Sequence, residues 1–295
     1  MIAPRNTAVS APPAIGPLFE FVDQIGWEEF KLQGGFGWQD RPLLVKGAVR
    51  TWPAWERWSF ERLADLRRPD GSEVVARFIT GVTEQGITRD QPRLPIAPYL
   101  HSLARSAAFG VPDDSGLLPD RRRRRLGPGD RFRLNWPFVG AIKAGDRLYL
   151  QQWNILDEFP ALRADFAIRQ LWPGLRWTWE YIFIGPAHTV TGLHYDFPNN
   201  WFCQVRGTKE VVLCPPDQSR YLCRSRKYDW GATLSDVDIT RPGRQEREWA
   251  MFEKARGLYA RVEAGDALFI PKRTWHAVVA LEPSISLGVF GLTPL

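Results

Sequence analysis

A mainly β architecture, an antiparallel sandwich or barrel preceded by a mixed α/β segment, is predicted by three features of the sequence. From Leu148 onward, short runs rich in β-branched and aromatic residues recur between turn signals: Leu148–Gln151, Tyr181–Ile184, Trp201–Val205, Lys209–Leu213, Ala267–Ile270 and Ile285–Phe290. Before about residue 105, helix-like pieces alternate with single apolar runs. Between these regions, from about Ser106 to Arg147, Gly, Pro, Asp and Arg dominate, and periodicity of either kind is lost.

Taken in order, residues 1–15 mix Pro, Ala, Ser and Asn without a period and are expected to be a flexible tail. Residues 16–105 are expected to form an α/β cap. Within it Pro42–Val45, flanked by Arg41 and Lys46-Gly47, predicts a buried strand; Trp52-Pro53-Ala54-Trp55 predicts a turn; Ser59 is placed to N-cap a helix; and Val74–Phe78 predicts a second strand. Residues 106–147 are expected to be a long surface loop or insertion. Residues 148–295 are expected to form the β core, with Arg206-Gly207-Thr208 short enough to close a hairpin. The core is interrupted at 217–257 by a stretch without strand rhythm. That stretch is expected to lie over the substrate or to form a passive loop with one helix at Glu246–Ala255.

Composition narrows the class. The chain has 295 residues, 44% hydrophobic and 24% charged, a globular balance long enough for a sizeable core. Its net charge is +6, but five of its cations lie in one run, Arg121–Arg125, so the rest of the chain is close to neutral. A charge run in a Pro/Gly/Asp-rich segment reads first as solvated chain. Without an RNA-binding motif of interleaved aromatics, nucleic acid is the less favoured partner. The three cysteines, Cys203, Cys214 and Cys223, have no CxxC spacing, which argues against a disulfide framework or a thiolate zinc site and for a reducing compartment. No stretch approaches 18 uncharged apolar residues, so no membrane partner is expected and a cytoplasmic location is. There are 14 Trp and only four His. Trp177, Trp179, Trp201 and Trp275 gather in sequence near the metal motif described next, to shape a pocket or to fill core.

His194-Tyr195-Asp196 sets an imidazole and a carboxylate two residues apart, which on an extended strand directs both to one side. His-x-Asp alone is a common surface pair. The third member is His276, which follows a turn at Gly265-Asp266 and an apolar run ended by Pro271. Two His and one carboxylate make the facial triad of non-haem Fe(II), with open positions for other ligands. Zinc in a three-ligand site, or a satisfied structural histidine beside Trp275, is the competing reading. Lys209 shares a strand face with Val211 and Leu213. A cation pointing into an apolar barrel needs an anionic partner, whereas at a strand end it reaches solvent. With a metal nearby, a dicarboxylate that chelates the ion at one end and meets Lys209 at the other explains both features.

These residues resemble the JmjC/cupin-like Fe(II)- and 2-oxoglutarate-dependent oxygenase family, which includes the hypoxia-inducible-factor asparaginyl hydroxylase and bacterial cupin-like relatives. The resemblance is carried by Thr191 through His194 and Asp196, then Asn200, Gln204-Val205-Arg206-Gly207-Thr208-Lys209 and Pro215-Pro216-Asp217-Gln218. It is also carried by Gly265-Asp266 through Ile270-Pro271 to Trp275-His276, by Tyr149-Leu150-Gln151-Gln152, and by Arg41-Pro42 to Trp52-Pro53-Ala54. It implies a double-stranded β-helix, the jelly-roll or cupin-like barrel, with an N-terminal α/β cap. It implies iron on His194, Asp196 and His276, and 2-oxoglutarate held by Lys209, Thr191, Tyr149 and Asn200. Gln151 and Trp275 would meet the prime substrate.

The implied reaction is an O2-dependent hydroxylation of an amino acid, peptide or protein side chain that releases succinate and CO2. The rivals are a cupin isomerase or hydrolase using Mn or Zn, and a non-catalytic binding module. Two departures from the family stand out. Gly288 occupies a position where relatives often carry an Asn next to the co-substrate, and the sequence stops at Leu295, short of the C-terminal helices through which some members dimerise. His188 and His101 have no assigned chemistry.

Overall fold

The computed structural model describes residues 17–34, 40–80, 92–108, 132–133, 148–173, 178–229, 231–240 and 246–292. The expected tail and nearly all of the 106–147 loop, including Arg121–Arg125, lie outside the described residues, as does Trp177.

Two eight-stranded sheets face each other. The first runs in spatial order Arg224–Asp229, Ala232–Ser235, Val190–Asp196, Trp275–Ala280, Lys209–Cys214, Arg256–Val262, Leu18–Phe21 and Phe132–Arg133. The second runs Asp23–Gly26, Leu43–Lys46, Ala267–Ile270, Asn199–Arg206, Ser284–Gly291, Thr178–Gly185, Leu148–Trp153 and Ile79–Thr80. From Thr178 to Gly291 the chain crosses between sheets at six of its nine connections, all but those around the Arg224–Ser235 hairpin, which is the double-stranded β-helix. The predicted strands are present. The segment 18–46, ahead of the barrel, contributes strands to both sheets.

One local expectation is corrected. Arg206-Gly207-Thr208 does not close a hairpin: Asn199–Arg206 pairs with Ala267–Ile270 and Ser284–Gly291, while Lys209–Cys214 pairs with Arg256–Val262 and Trp275–Ala280 in the other sheet. The turn carries the chain across the sandwich. Gly207 sits there at φ 72°, and a Cβ on it would come within 2.3 Å of the Pro283 carbonyl oxygen, so backbone conformation and space both demand glycine. A short loop with glycine looks the same in sequence whether it joins neighbours or opposite layers.

Apolar residues divide among three clusters by strand parity. Between the sheets lie Leu44, Phe202, Val211, Leu213, Leu268 and Val278, among others. Outside the second sheet, Trp201, Phe269 and Ile182 pack against the helical segments Trp27–Leu32, Pro53–Arg57, Phe60–Ala64 and Ile96–Ala108. Ser59 caps the third of these, its hydroxyl accepting from the Arg62 N–H at 3.2 Å. Outside the first sheet, Val212, Trp275 and Val279 pack against Trp249 and Phe252 of the helix Glu246–Phe252 and against Leu222 and Val237. The 217–257 interruption therefore covers the back of a sheet and adds the hairpin Arg224–Ser235 to its edge.

Buried polar groups tie these layers together. Asp266, 1% exposed, accepts from Lys46 Nζ at 2.5 Å, Gly47 N–H at 3.0 Å and Glu263 N–H at 3.1 Å, joining the Leu43–Lys46 strand to the 263–266 turn. Asp165 accepts from Arg57 at 2.8 Å and from the Trp58 indole at 2.9 Å, fixing the helices to the 160–165 turn. Such pairs hold because every lone pair that burial strips of water finds a donor.

Glu210 is less well served. It faces the outer cluster of the first sheet, accepts one bond from the Tyr259 hydroxyl at 2.9 Å and leaves Oε2 without a partner among the described residues. Burial pushes its carboxyl up to about 7, against the smaller opposing effects of Tyr259 and Arg261. An acid whose folded pKa is raised favours the folded state fully below its unfolded value, and this contribution is lost as pH rises through about 7. Glu210→Gln keeps an acceptor for Tyr259 and removes the titration. The difference in melting temperature between wild type and Glu210→Gln, followed from pH 5 to pH 8, is expected to grow in the variant's favour with pH. A constant difference would contradict the assignment.

Candidate metal and co-substrate site

The site begins with a fault in strand register. Thr191 lies opposite Val278, but His194, three residues on, lies opposite His276, two residues back. The extra residue on the Val190–Asp196 strand is a β-bulge at Gly192-Leu193. In an unbroken strand, residues three apart face opposite sides. Here Val190 and Leu193 both enter the outer cluster, and Thr191, His194 and Asp196 are all left to the inner face.

His194 and His276 become cross-strand neighbours with ring centroids 4.2 Å apart. Asp196 Oδ2 lies 3.9 Å from His194 Nε2 and 3.6 Å from His276 Nε2, and one donor atom from each residue falls within 4.8 Å of the others. Among the described residues this is the one such group of His, Cys and carboxylate side chains. Each imidazole uses Nδ1 on a backbone carbonyl, His194 on Gly192 at 2.7 Å and His276 on Thr274 at 2.9 Å. With Nδ1–H donating, Nε2 carries the lone pair, the form that binds a metal. Burial, with a smaller effect from His194, holds the His276 pKa well below the ordinary imidazole range, so it is neutral and able to ligate. The turn before His276 is bonded to the turn after Asp196: Arg273 N–H donates to Asp196 O at 2.9 Å and Lys272 N–H to Asn199 Oδ1 at 2.7 Å.

Deeper between the sheets stands Lys209, 1% exposed on the face it shares with Val211 and Leu213. No carboxylate pairs with it among the described residues. Its ammonium lies 5.3 Å from the Phe202 ring centroid and 5.9 Å from that of Tyr149, and burial brings its pKa down to about 7. The Tyr149 hydroxyl bonds the Thr191 side chain, and burial raises its pKa well above the usual phenol value. Asn200 lies on the same inward parity as Phe202, and Oδ1 of buried Asn200 and Oε1 of Gln151 have no hydrogen-bond partner among the described residues. Lys209, Tyr149 and Thr191 thus come together. The ammonium, without an anion among the described residues, carries a cost that an anionic guest would offset, and the two amide oxygens call for a donor.

Trp275 does not join this pocket. It alternates with His276 to the other face of its strand, is fully buried in the outer cluster, and donates its indole N–H to Ser219 Oγ at 2.9 Å. The expectation that it meets substrate is therefore corrected: in a strand the neighbour of an inward ligand points outward. Trp201 likewise fills core, whereas Trp179 is exposed. At Gly288 a Cβ would meet the rings of Phe290 at 2.9 Å and Phe183 at 3.0 Å, so aromatic rings crowd the place where an Asn side chain would start. His188 lies in the turn before the bulged strand at φ 65°, and exposed His101 lies on the helix Ile96–Ala108; neither is part of the triad. Residues unassigned from sequence, Phe202, Tyr181, Phe183 and Phe290, line the interior. Their signal was the parity they share with Asn200 and Gly288 on already visible strands.

Comparison with known proteins agrees with this architecture. The chain is 31% identical over 137 residues to tRNA wybutosine-synthesizing protein 5 of Gallus gallus, covering 46% of this chain and 41% of that protein. It is 28% identical over 154 residues to Jumonji C domain-containing protein 5 of Drosophila melanogaster, covering 50% of this chain and 37% of that protein. It is 24% identical over 260 residues to Lysine-specific demethylase JMJ31 of Arabidopsis thaliana, covering 84% of this chain and 45% of that protein. The matches span less than half the length of these relatives. The family model described as a cupin-like domain matches residues 35–290. With its crossing strands, bulge-aligned His-Asp-His group and JmjC-domain relatives, the chain belongs to the JmjC/cupin-like family.

Proposed function

We propose that this protein is an Fe(II)- and 2-oxoglutarate-dependent oxygenase that hydroxylates an unactivated C–H bond. The observation that carries the reading is the pairing of an open His-Asp-His face with a buried lysine that has no counter-charge. That combination suits a dicarboxylate chelated at one end and neutralised at the other. Iron(II), 2-oxoglutarate and O2 would supply the oxidising power, one oxygen atom going into the C–H bond and the other into succinate as CO2 is lost.

The chain's part is to position and to exclude. His194, Asp196 and His276 would hold the ion, leaving its remaining positions for other ligands. Lys209, with the Tyr149 hydroxyl, would take the far carboxylate; Thr191 would orient that hydroxyl, and Asn200 would donate from its amide nitrogen to the same guest. Gln151, whose amide oxygen is likewise without a partner among the described residues, would meet the prime substrate. The rings of Phe183, Phe202 and Phe290 keep water from the reacting bond.

A free amino acid, peptide or protein side chain is the substrate suggested by the sequence. The relatives' names, tRNA wybutosine synthesis on one side and lysine demethylation on the other, put macromolecules of two kinds in view. Free thiols at Cys203, Cys214 and Cys223 favour a reducing compartment, and we place the protein in the cytoplasm. No helix among the described residues is long and apolar enough to cross a membrane.

Asp196→Ala is expected to abolish succinate release. Turnover at the wild-type rate would refute the ligand assignment, and product without succinate would point to an isomerase or hydrolase. His276→Ala removes one of the three ligand side chains, so Mn(II) binding followed by electron paramagnetic resonance is expected to be lost while the barrel still folds. Lys209→Ala is expected to weaken 2-oxoglutarate binding more than tenfold (roughly, from the cost of breaking a buried charge pair). Because the free ammonium titrates near 7 and the bound anion raises that value, wild-type affinity should fall as pH rises above about 7. In Lys209→Ala the pH dependence should be lost.

A further inference from the structure

Two exposed aromatic rings stand near the triad, one of them under a guanidinium that meets no carboxylate among the described residues. Phe197 directly follows the ligand Asp196 and is 60% exposed. The guanidinium of Arg273 lies over its ring, 5.3 Å from the centroid. Arg273 belongs to the turn that precedes His276, so the pair joins the two turns that carry the triad. Trp179, 47% exposed, lies on the facing sheet; it shares the inward parity of Tyr181 and Phe183 and is paired through Phe290 with Asn200. Neither ring packs in a core.

Arg273 is also at φ 61°, the left-handed region that favours glycine. An L residue held there at an energetic cost, beside a reactive centre and with its side chain in solvent, points to a use for that side chain. Lys272 beside it is exposed, and so are Arg220, Arg224 and Arg226 on the segment that packs behind and beside the ligand strand. None of these five cations pairs with a carboxylate among the described residues. Some exposed arginines elsewhere do pair: Arg163 meets Asp157 and Arg256 meets Asp217.

We propose that this rim binds single-stranded nucleic acid, with Phe197 and Trp179 stacking bases on either side of the opening and Arg273 and Lys272 taking the adjoining phosphates, so that one nucleotide is presented to the metal. The inference rests on the oxygenase reading above and names its substrate class. The combination decides against an acidic peptide: cations alone would fit either, but an exposed aromatic ring with a guanidinium over it, and a second exposed ring on the facing sheet, match a ligand that carries a π face with every negative charge.

The test is fluorescence anisotropy of the full chain with a labelled 12-nucleotide oligouridylate, with the same backbone lacking bases, and with an oligoglutamate peptide. Wild type should bind the oligouridylate in a salt-dependent manner. Phe197→Ala and Trp179→Ala should each weaken it about tenfold, while Phe197→Trp retains it. Arg273→Ala should reduce the slope of log affinity against log salt by about 0.7.

The proposal is overturned by absence of binding, by equal affinity for the base-free strand, by indifference to both aromatic substitutions, or by comparable binding of oligoglutamate. Thermal melts of the variants, expected to match wild type because both rings are exposed, guard against misfolding. Binding is read without turnover, so a failed rim leaves the oxygenase reading intact, and absence of succinate release with every substrate condemns that reading alone.

Discussion

The register fault at Gly192-Leu193 is the constraint on which the site depends. With the three-residue spacing from Thr191 to His194 and no bulge, a period-two strand could present either Thr191 or the His194–Asp196 pair to the interior, but not both. With it, the group that holds the Tyr149 hydroxyl and the groups that form the triad occupy one face, while Val190 and Leu193 anchor the other face in apolar packing. The carbonyl of Gly192 then receives the Nδ1 proton of His194. The same irregularity therefore sets the direction of the side chains and the tautomer of one of them.

Around that strand the structure separates rigidity from chemistry. The ligands' backbones are tied by bonds between turns, from Arg273 to Asp196 and from Lys272 to Asn199, and the outer faces of both sheets are covered by cores of their own. What remains between the sheets is less completely satisfied. Among the described residues, a lysine without an anion and amide oxygens without donors are costs that a folded protein tolerates when a ligand makes them good.

Much of this was legible in the residues. His-x-Asp on a strand, a distant histidine after an apolar run, and a lysine on an apolar stripe each carry their chemistry in local spacing, and the strands from Leu148 onward announced themselves by composition. Three things were not legible. The bulge leaves no mark on composition, so Thr191 could be placed on the site's face only by resemblance. The Gly207 turn reads as a hairpin because sequence shows a loop's length but not the layer it enters. Trp275 was drawn to the site by proximity to His276, although adjacency in a strand means opposite faces. The rim pair Phe197 and Arg273 lies in two turns 76 positions apart (273 − 197), which only the fold brings together.

The Arg224–Ser235 hairpin has a consequence for how the barrel survives in solution. It hydrogen-bonds to the strand bearing His194 and Asp196, which would otherwise end its sheet with a row of unpaired backbone groups. The new edge it creates is irregular between Arg224 and Tyr228 and carries exposed Arg224 and Arg226, features that discourage strands of other molecules from adding on. A trimmed barrel lacking the segment would bare the edge strand that carries His194 and Asp196 to its neighbours, and its first failure would be association between copies rather than loss of fold.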